Sequence, residues 1–132
     1  MANGFSGTKE KWDMLESLLE KLDADLEEFV KLHRVRLYRS NGNWPDRRLE
    51  WGGILSRLIQ IYLDDENKPS FNLWICLSED REGRRYWKQE FLKKSVTIEE
   101  IETDLPNLLE RAMKRMEGWS RDDLEFGTTL GA

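Results

Sequence analysis

Apolar side chains recur every three or four residues between Trp12 and Phe29, and acidic side chains fill many of the positions between them. This spacing predicts an amphipathic helix of about seven turns. Thr8 precedes the pattern and is a candidate N-cap, because its hydroxyl can accept a hydrogen bond from the first turn. His33 falls at the end of the segment. We expect it to cap the helix or to pack there rather than to act in catalysis.

The middle of the chain changes to a period of two, which is typical of strands. A first strand is predicted around residues 35–39, followed by turn residues at 40–43. A long extended stretch over residues 49–63 predicts a second strand, with Gly52 and Gly53 as a bulge or bend near its start. Residues 71–78 show the clearest alternation and predict a third strand, and residues 86–92 predict a fourth.

A second helix is predicted from the last long segment. Thr97 and Glu100 have the spacing of a capping box, and apolar residues continue at helical intervals as far as Met116. Pro106 lies too far inside this helix to be a first-turn proline. It predicts a kink, or a short helix followed by a longer one that restarts near Asp104.

The predicted order is therefore helix, four strands, helix. Short loops between successive strands favour an antiparallel meander, and each amphipathic helix must cover apolar surface. We expect an α+β fold, a two-layer sandwich in which a four-stranded antiparallel meander carries an N-terminal and a C-terminal helix. Residues 1–118 are expected to form a single domain, and residues 119–132 a loosely attached C-terminal tail.

Composition narrows the function classes. A chain of 132 residues can bury a sizeable core without a disulfide or a structural metal. One histidine and one cysteine are too few for a zinc or iron–sulfur site built from those residues, so no metal or cofactor is expected. The N-terminus lacks the pattern of an export signal, and the longest apolar run is residues 73–77, too short to cross a membrane. With its single cysteine, the chain is expected to be cytoplasmic.

The net charge of −5 conceals a segregation of charge along the chain. Residues 33–63 and residues 81–94 each carry six basic and two acidic side chains, whereas both helical segments are acidic. One interpretation is that arginine and lysine protect the edges of the sheet against pairing with other sheets. The other is a basic patch that faces an anionic partner, since arginine is well suited to bind carboxylate or phosphate.

Strand parity sorts the side chains of the predicted sheet into two faces. If Phe71, Leu73 and Ile75 point toward the helices, then Asn72, Trp74 and Cys76 point away from them. The same reasoning places Trp87 and Phe91 in the core. The face away from the helices is then expected to combine Leu58, Tyr62, Trp74, Cys76 and Tyr86 with Gln60, Asn72, Ser78 and Lys88.

Two tyrosines and a tryptophan are unusual on a sheet face exposed to water, so we expect this face to be covered. The chain's own C-terminal segment, with Trp119, Leu124 and Phe126, or the loop around Trp44 could cover it. A protein partner or a second copy of the chain would also satisfy the pattern, because aromatic patches with arginine mark interaction sites. The candidate binding residues are Tyr62, Trp74, Tyr86, Arg57, Arg84, Arg85, Lys88, Gln60 and Asn72.

These features favour a small non-catalytic protein that binds another protein, of the inhibitor, immunity or adaptor type. The sequence contains no phosphate-binding loop, nucleophile elbow or dinucleotide fingerprint, and no residue is assigned to catalysis. One alternative is binding of single-stranded nucleic acid on the aromatic sheet, which the acidic balance of the chain disfavours. The other is a planar small ligand, such as a tetrapyrrole with His33 as axial donor, held between the sheet and a helix.

Overall fold

The structure is a computed structural model that describes residues 8–40, 45–64 and 70–126. Helix α1 spans Thr8–His33 and helix α2 spans Ile98–Glu117, in agreement with the two helices predicted from the sequence. Neither is both long enough and apolar enough to cross a membrane, among the residues described. A single 3₁₀ turn, Arg121–Asp123, follows α2.

The strands form one antiparallel sheet in which every strand lies beside its neighbours in sequence. Their bounds are β1 Arg36–Ser40, β2 Asp46–Gly52, β3 Leu55–Asp64, β4 Ser70–Arg81, β5 Arg84–Val96 and β6 Glu125–Phe126. The predicted α+β class with a helix at each end of the meander is confirmed. The predicted number of strands is wrong, because the described sheet has six strands and not four.

The stretch predicted as one strand over residues 49–63 is a hairpin. Gly52 has a φ of +93°, and the chain reverses so that Gly52 pairs with Ser56. A Cβ at Gly52 would lie 2.4 Å from the carbonyl oxygen of Leu55, so the reversal depends on the absence of a side chain there. The sixth strand, β6, comes from the C-terminal segment that was expected to be loosely attached.

Both helices pack on the same face of the sheet, and the core lies between the two layers. The fully buried side chains come from α1, α2 and one face of the central strands: Leu19, Leu22, Leu26, Leu49, Ile59, Ile61, Leu73, Ile75, Leu77, Leu105 and Leu109. We call this face of the sheet the helix side and the opposite face the outer face. The two-layer arrangement expected from the sequence is therefore present.

Helix α2 begins as its sequence indicates. The backbone N–H of Glu100 donates to the Thr97 hydroxyl at 3.2 Å, and Thr97 has extended backbone angles, so it is the N-cap. Gly118 is the C-cap. Pro106 lies within one continuous helix, so the expected restart near Asp104 does not occur.

A buried arginine joins α1 to the sheet. The side chain of Arg47 is 1% exposed, and its Nε donates to Oδ1 of Asp23 at 2.8 Å. Its guanidinium also donates to the carbonyl oxygens of Ser40 and Asp46. A buried cation is tolerated because these partners satisfy its donors.

Residues 119–126 pack against the helix side of the domain. Trp119 and Leu124 are buried in the core, and Lys88 Nζ lies 4.9 Å from the centre of the Trp119 ring. Arg121 donates to the carboxylate of Glu79, with its Nε 2.8 Å from Oε2. This part of the predicted tail is therefore anchored by apolar and ionic contacts. Residues 127–132 lie outside the described residues.

Candidate functional site

The hairpin between β4 and β5 decides which side chains of β5 reach the outer face. Its loop has two residues, Glu82 and Gly83, both with positive φ. Such a turn fixes the register so that Asp80 pairs with Arg85 and Ser78 pairs with Trp87. Odd-numbered residues of β4 point to the helix side. Because they pair with even-numbered residues of β5, those residues also point to the helix side, as far as the register shift near Leu92.

The prediction for β5 is therefore wrong by one residue. Tyr86 and Lys88 lie on the helix side, where Tyr86 pairs with Glu79 and Lys88 pairs with Leu77. Trp87 and Phe91, which were assigned to the core, lie on the outer face opposite Ser78 and Trp74. The length of the turn between β4 and β5, and not the pattern within β5 alone, sets which residues of β5 point to the helices.

The outer face thus carries more aromatic surface than the sequence indicated. Its aromatic side chains are Tyr38, Tyr62, Trp74, Trp87 and Phe91, from β1, β3, β4 and β5. Leu58 and Cys76 pair with each other near the centre of this face. All of these side chains are half-buried except Cys76, which is buried, and Tyr38, which is 40% exposed.

The polar side chains of the outer face are arranged around this aromatic surface. Gln60 Nε2 donates to Oδ2 of Asp46 at 2.7 Å, and Arg48 lies 3.7 Å from the same oxygen. The Arg48 guanidinium also lies 5.5 Å from the centre of the Tyr38 ring, within the range of a cation–π contact. At the other end of the face, Arg85 donates to Asp80 at 3.0 Å and to the Ser78 hydroxyl at 3.1 Å.

Several polar atoms on this face are shielded from solvent without a hydrogen-bond partner among the described residues. They are the indole Nε1 atoms of Trp74 and Trp87, the Nε of Arg48 and the Oδ1 of Asp46. A shielded polar group without a partner costs free energy, and such groups are rare in native proteins. Their concentration on one face distinguishes it from the helix side.

The candidate binding residues divide between the two faces. Five of them lie on the outer face: Tyr62, Trp74, Gln60, Asn72 and Arg85. Strand parity had placed all of these except Arg85 on that face.

The other candidates lie on the helix side. Arg57 pairs with Leu77 there, and the Arg84 guanidinium lies 5.7 Å from the centre of the Phe126 ring. Tyr86 packs between Arg81 and Phe126, also on the helix side. The register of the strands therefore brings together on one surface only the candidates that lie on the outer face.

Asn72 has a structural contact that the sequence did not indicate. It is buried, and its Oδ1 accepts a hydrogen bond from the backbone N–H of Ser95 at 3.0 Å. Ser95 has a φ of +54° and lies where the pairing of β4 with β5 shifts register. Asn72 therefore stabilises a β-bulge.

Cys76 is buried on the outer face, between Leu58 of β3 and Gln89 of β5. Burial raises the pKa of its thiol from 9.0 to about 12, and the nearby Arg85 lowers it only in part. The thiol is therefore protonated at neutral pH and is a poor nucleophile.

His33 is on the other side of the sheet from Cys76. Its Nε2 lies 2.6 Å from Oε2 of Glu110 in α2, and its ring contacts Phe29 at 4.4 Å between centroids. A ligand on the aromatic outer face could not reach His33. Within the described ranges, no group of three His, Cys, Asp or Glu side chains has the arrangement of a metal site.

The described segments outside the sheet contact it from the helix side. Asp23 of α1 binds Arg47, and Arg115 of α2 binds Glu90 with its Nε 2.7 Å from Oε2. The C-terminal segment through Phe126 packs on Tyr86 and Lys88. The expectation that Trp119, Leu124 and Phe126 cover the outer face is therefore wrong. Trp44, the other candidate, lies outside the described residues.

No protein-family model, curated protein or solved structure matches this chain.

Proposed function

We propose that the protein binds another protein through the outer face of its sheet. The observation that carries this proposal is the aromatic surface of Tyr38, Tyr62, Trp74, Trp87 and Phe91. Helices α1 and α2 and residues 119–124 leave this surface uncovered because they pack on the helix side. Aromatic side chains with arginine at their margin contribute most of the binding energy in protein interfaces.

The charges of the outer face favour a protein over a nucleic acid. The described cations of this face are offset by an equal number of carboxylates: Arg36, Arg48, Arg85 and Lys94 against Asp46, Glu50, Asp80 and Glu125. Arg85 is moreover engaged by Asp80, and Arg48 lies near Asp46. A nucleic-acid surface requires an excess of unpaired cations along the path of the phosphates, so single-stranded nucleic acid is the less favoured ligand.

A planar small ligand is also less favoured. One cavity of about 620 Å³ is lined by charged side chains of α2 together with Lys93. Another, of about 160 Å³, lies between the helices beside Phe29 and Leu32. Both are on the helix side, away from the aromatic surface, and neither pairs that surface with a helix. The protein-binding role is therefore the function that this geometry supports best.

Site-specific photo-crosslinking in the cells that produce the protein tests this proposal. A photoreactive phenylalanine derivative placed at Tyr38, which is on the outer face and 40% exposed, is expected to form an adduct with a discrete protein. The same derivative at Leu32, which is 71% exposed on α1, serves as the matched control and is expected to form no such adduct.

A second substitution makes the result specific to the face. Leu58→Lys places a charge at the centre of the aromatic surface and is expected to abolish the Tyr38 adduct while the protein remains folded. Adducts that form equally from Leu32, or no adduct from Tyr38, would contradict the proposal.

A further inference from the structure

The β5 edge of the sheet is poorly suited to association. Beyond Trp87, β5 has no strand on its far side among the described residues, since β6 pairs only with Tyr86 and Trp87. This open edge carries Lys93 and Lys94 and two register shifts, near Leu92 and at Ser95. Lysines and bulges are the features by which edge strands resist pairing with other strands. Association is therefore expected through a face of the sheet and not through this edge.

The charges of the outer face are balanced, in contrast with the remainder of the chain. Among the described side chains, four cations and four carboxylates lie on this face, whereas the whole chain carries a net charge of −5. Two copies would repel each other through their acidic helices. They would repel least through the outer face, where a two-fold rotation can place the basic groups of one copy against the acidic groups of the other.

The size of the face is also sufficient for a specific interface. Five strands about 4.8 Å apart, with about seven residues of each in contact, give a projected area of roughly 550 Å² on each copy. Two copies would bury about 1,100 Å² in total, which exceeds the roughly 1,000 Å² expected of a specific interface.

From these observations we infer that the outer face binds the outer face of a second copy of this chain, so that two sheets stack about a two-fold axis. The inference rests on the proposed function, because it names the partner of the same surface. The aromatic side chains of the two copies would form an apolar layer between the sheets, as the inner faces do in a β-sandwich.

Sedimentation velocity on the purified full-length chain, over about 1 µM to about 1 mM, tests the inference. The expected result is a species of twice the 15.7 kDa monomer mass, populated in a concentration-dependent manner. Leu58→Lys and Tyr38→Glu are each expected to weaken the dimer at least tenfold, because they place charges in the apolar layer. Ile54→Lys, at a position that is 82% exposed in the turn between β2 and β3, is the matched control and is expected to leave the dimer unchanged.

Circular dichroism on each variant separates loss of the dimer from loss of the fold. If Leu58→Lys does not fold, Tyr38→Glu decides, since Tyr38 is the more exposed of the two positions. A monomer at every concentration, or a dimer that neither outer-face substitution weakens, overturns the inference. Either result leaves the proposed function to the crosslinking experiment, which detects a different protein as readily as a second copy.

Discussion

At the scale of single residues, the most consequential buried charge is Arg47. It is 1% exposed and binds Asp23, whereas Arg39 approaches the same carboxylate from the surface at 3.4 Å. Asp23 is thus paired with two arginines, of which Arg47 is buried and Arg39 is exposed.

Arg47→Met keeps much of the side-chain volume but removes the cation, leaving Asp23 with only the exposed Arg39. We expect a loss of about 3 kcal/mol in the free energy of unfolding, the lower end for broken buried pairs, because Arg39 still partners Asp23. Arg39→Ala is the matched control and is expected to cost at most about 1 kcal/mol, because exposed ion pairs contribute little. Urea denaturation measures both, and equal losses would contradict the assignment of Arg47 as the buried anchor.

The thiol of Cys76 gives a second prediction at this scale. With its pKa raised to about 12, Cys76 is protonated in the folded protein at pH 8. We expect it to react with a thiol reagent about a thousandfold more slowly in the native state than in denaturant, since the thiolate is the reactive form. Labelling at a rate near that of the unfolded chain would show that the outer face does not shield the thiol.

The same shift makes stability depend on alkaline pH. The folded pKa lies above the usual 9.0, so the contribution of the protonated thiol is fully present below pH 9 and is lost as the pH rises toward 12. Cys76→Ala is expected to have a shallower decline in this range. Parallel curves for the two proteins would be inconsistent with a raised pKa.

At the scale of elements, the hairpin between β2 and β3 depends on one glycine. Gly52 has a φ of +93° and no room for a Cβ, whereas a Cβ at Gly53 would meet no atom within 4 Å. We expect Gly52→Ala to destabilise the protein by about 2 kcal/mol or more, and Gly53→Ala to change stability by less than about 1 kcal/mol. Thermal denaturation of the two variants makes the comparison. Similar losses would argue against a turn built on Gly52.

This hairpin also shows where periodicity stops being informative. Leu49 and Trp51 before the turn and Leu55 and Ile59 after it are all odd-numbered and all point to the helix side or the core. The reversal therefore preserves the alternation, and one bent strand and two paired strands give the same pattern. The glycine pair was visible in the sequence, but the positive φ of Gly52 was not.

The turn at Glu82 and Gly83 has the opposite effect. Its two-residue loop pairs odd with even positions, so the inward set changes parity between β4 and β5. Strand parity predicted the face of Tyr62, Gln60 and Trp74 correctly, because the inward face of β3 and of β4 can be assigned from the apolar residues of each strand. It failed on Trp87 because β5 carries large side chains at both parities, and only the turn length distinguishes them.

The C-terminal segment is attached through an ionic contact that acid should weaken. Hydrogen bonds from Arg81 and Arg121 lower the pKa of Glu79 below its usual 4.5. A lowered folded pKa means that the contribution to stability is present above pH 4.5 and is lost as the pH falls through the folded value. We expect wild-type protein to lose stability below pH 4.5 more steeply than Glu79→Gln.

The exposed neighbour Asp80 provides the control for that experiment, because it binds Arg85 on the outer face and not the C-terminal segment. At neutral pH, Glu79→Gln is expected to raise amide hydrogen exchange in residues 119–126, and Asp80→Asn is not. Unchanged exchange in both variants would show that apolar contacts of Trp119 and Leu124 alone hold the segment.

At the scale of the whole molecule, a dimer links stability to concentration. If folding and pairing of the outer faces are coupled, the midpoint of thermal unfolding should rise by about 2–4 °C for each tenfold increase in protein concentration. Leu58→Lys should show no such dependence, and Ile54→Lys should behave as wild type. A midpoint that is independent of concentration in the wild-type protein would count against self-association.

The order of the strands has a consequence for how the chain acquires its structure. Because each of β2 to β5 pairs with the strand made just before it, every pairing up to β5 closes a short loop, and the entropic cost of each closure is small. These five strands can therefore assemble progressively during synthesis. Helix α2 and residues 119–126 are made last, so the core remains open on one side until they arrive. A nascent sheet with apolar side chains on both surfaces would be the stage at which this protein is most prone to aggregation.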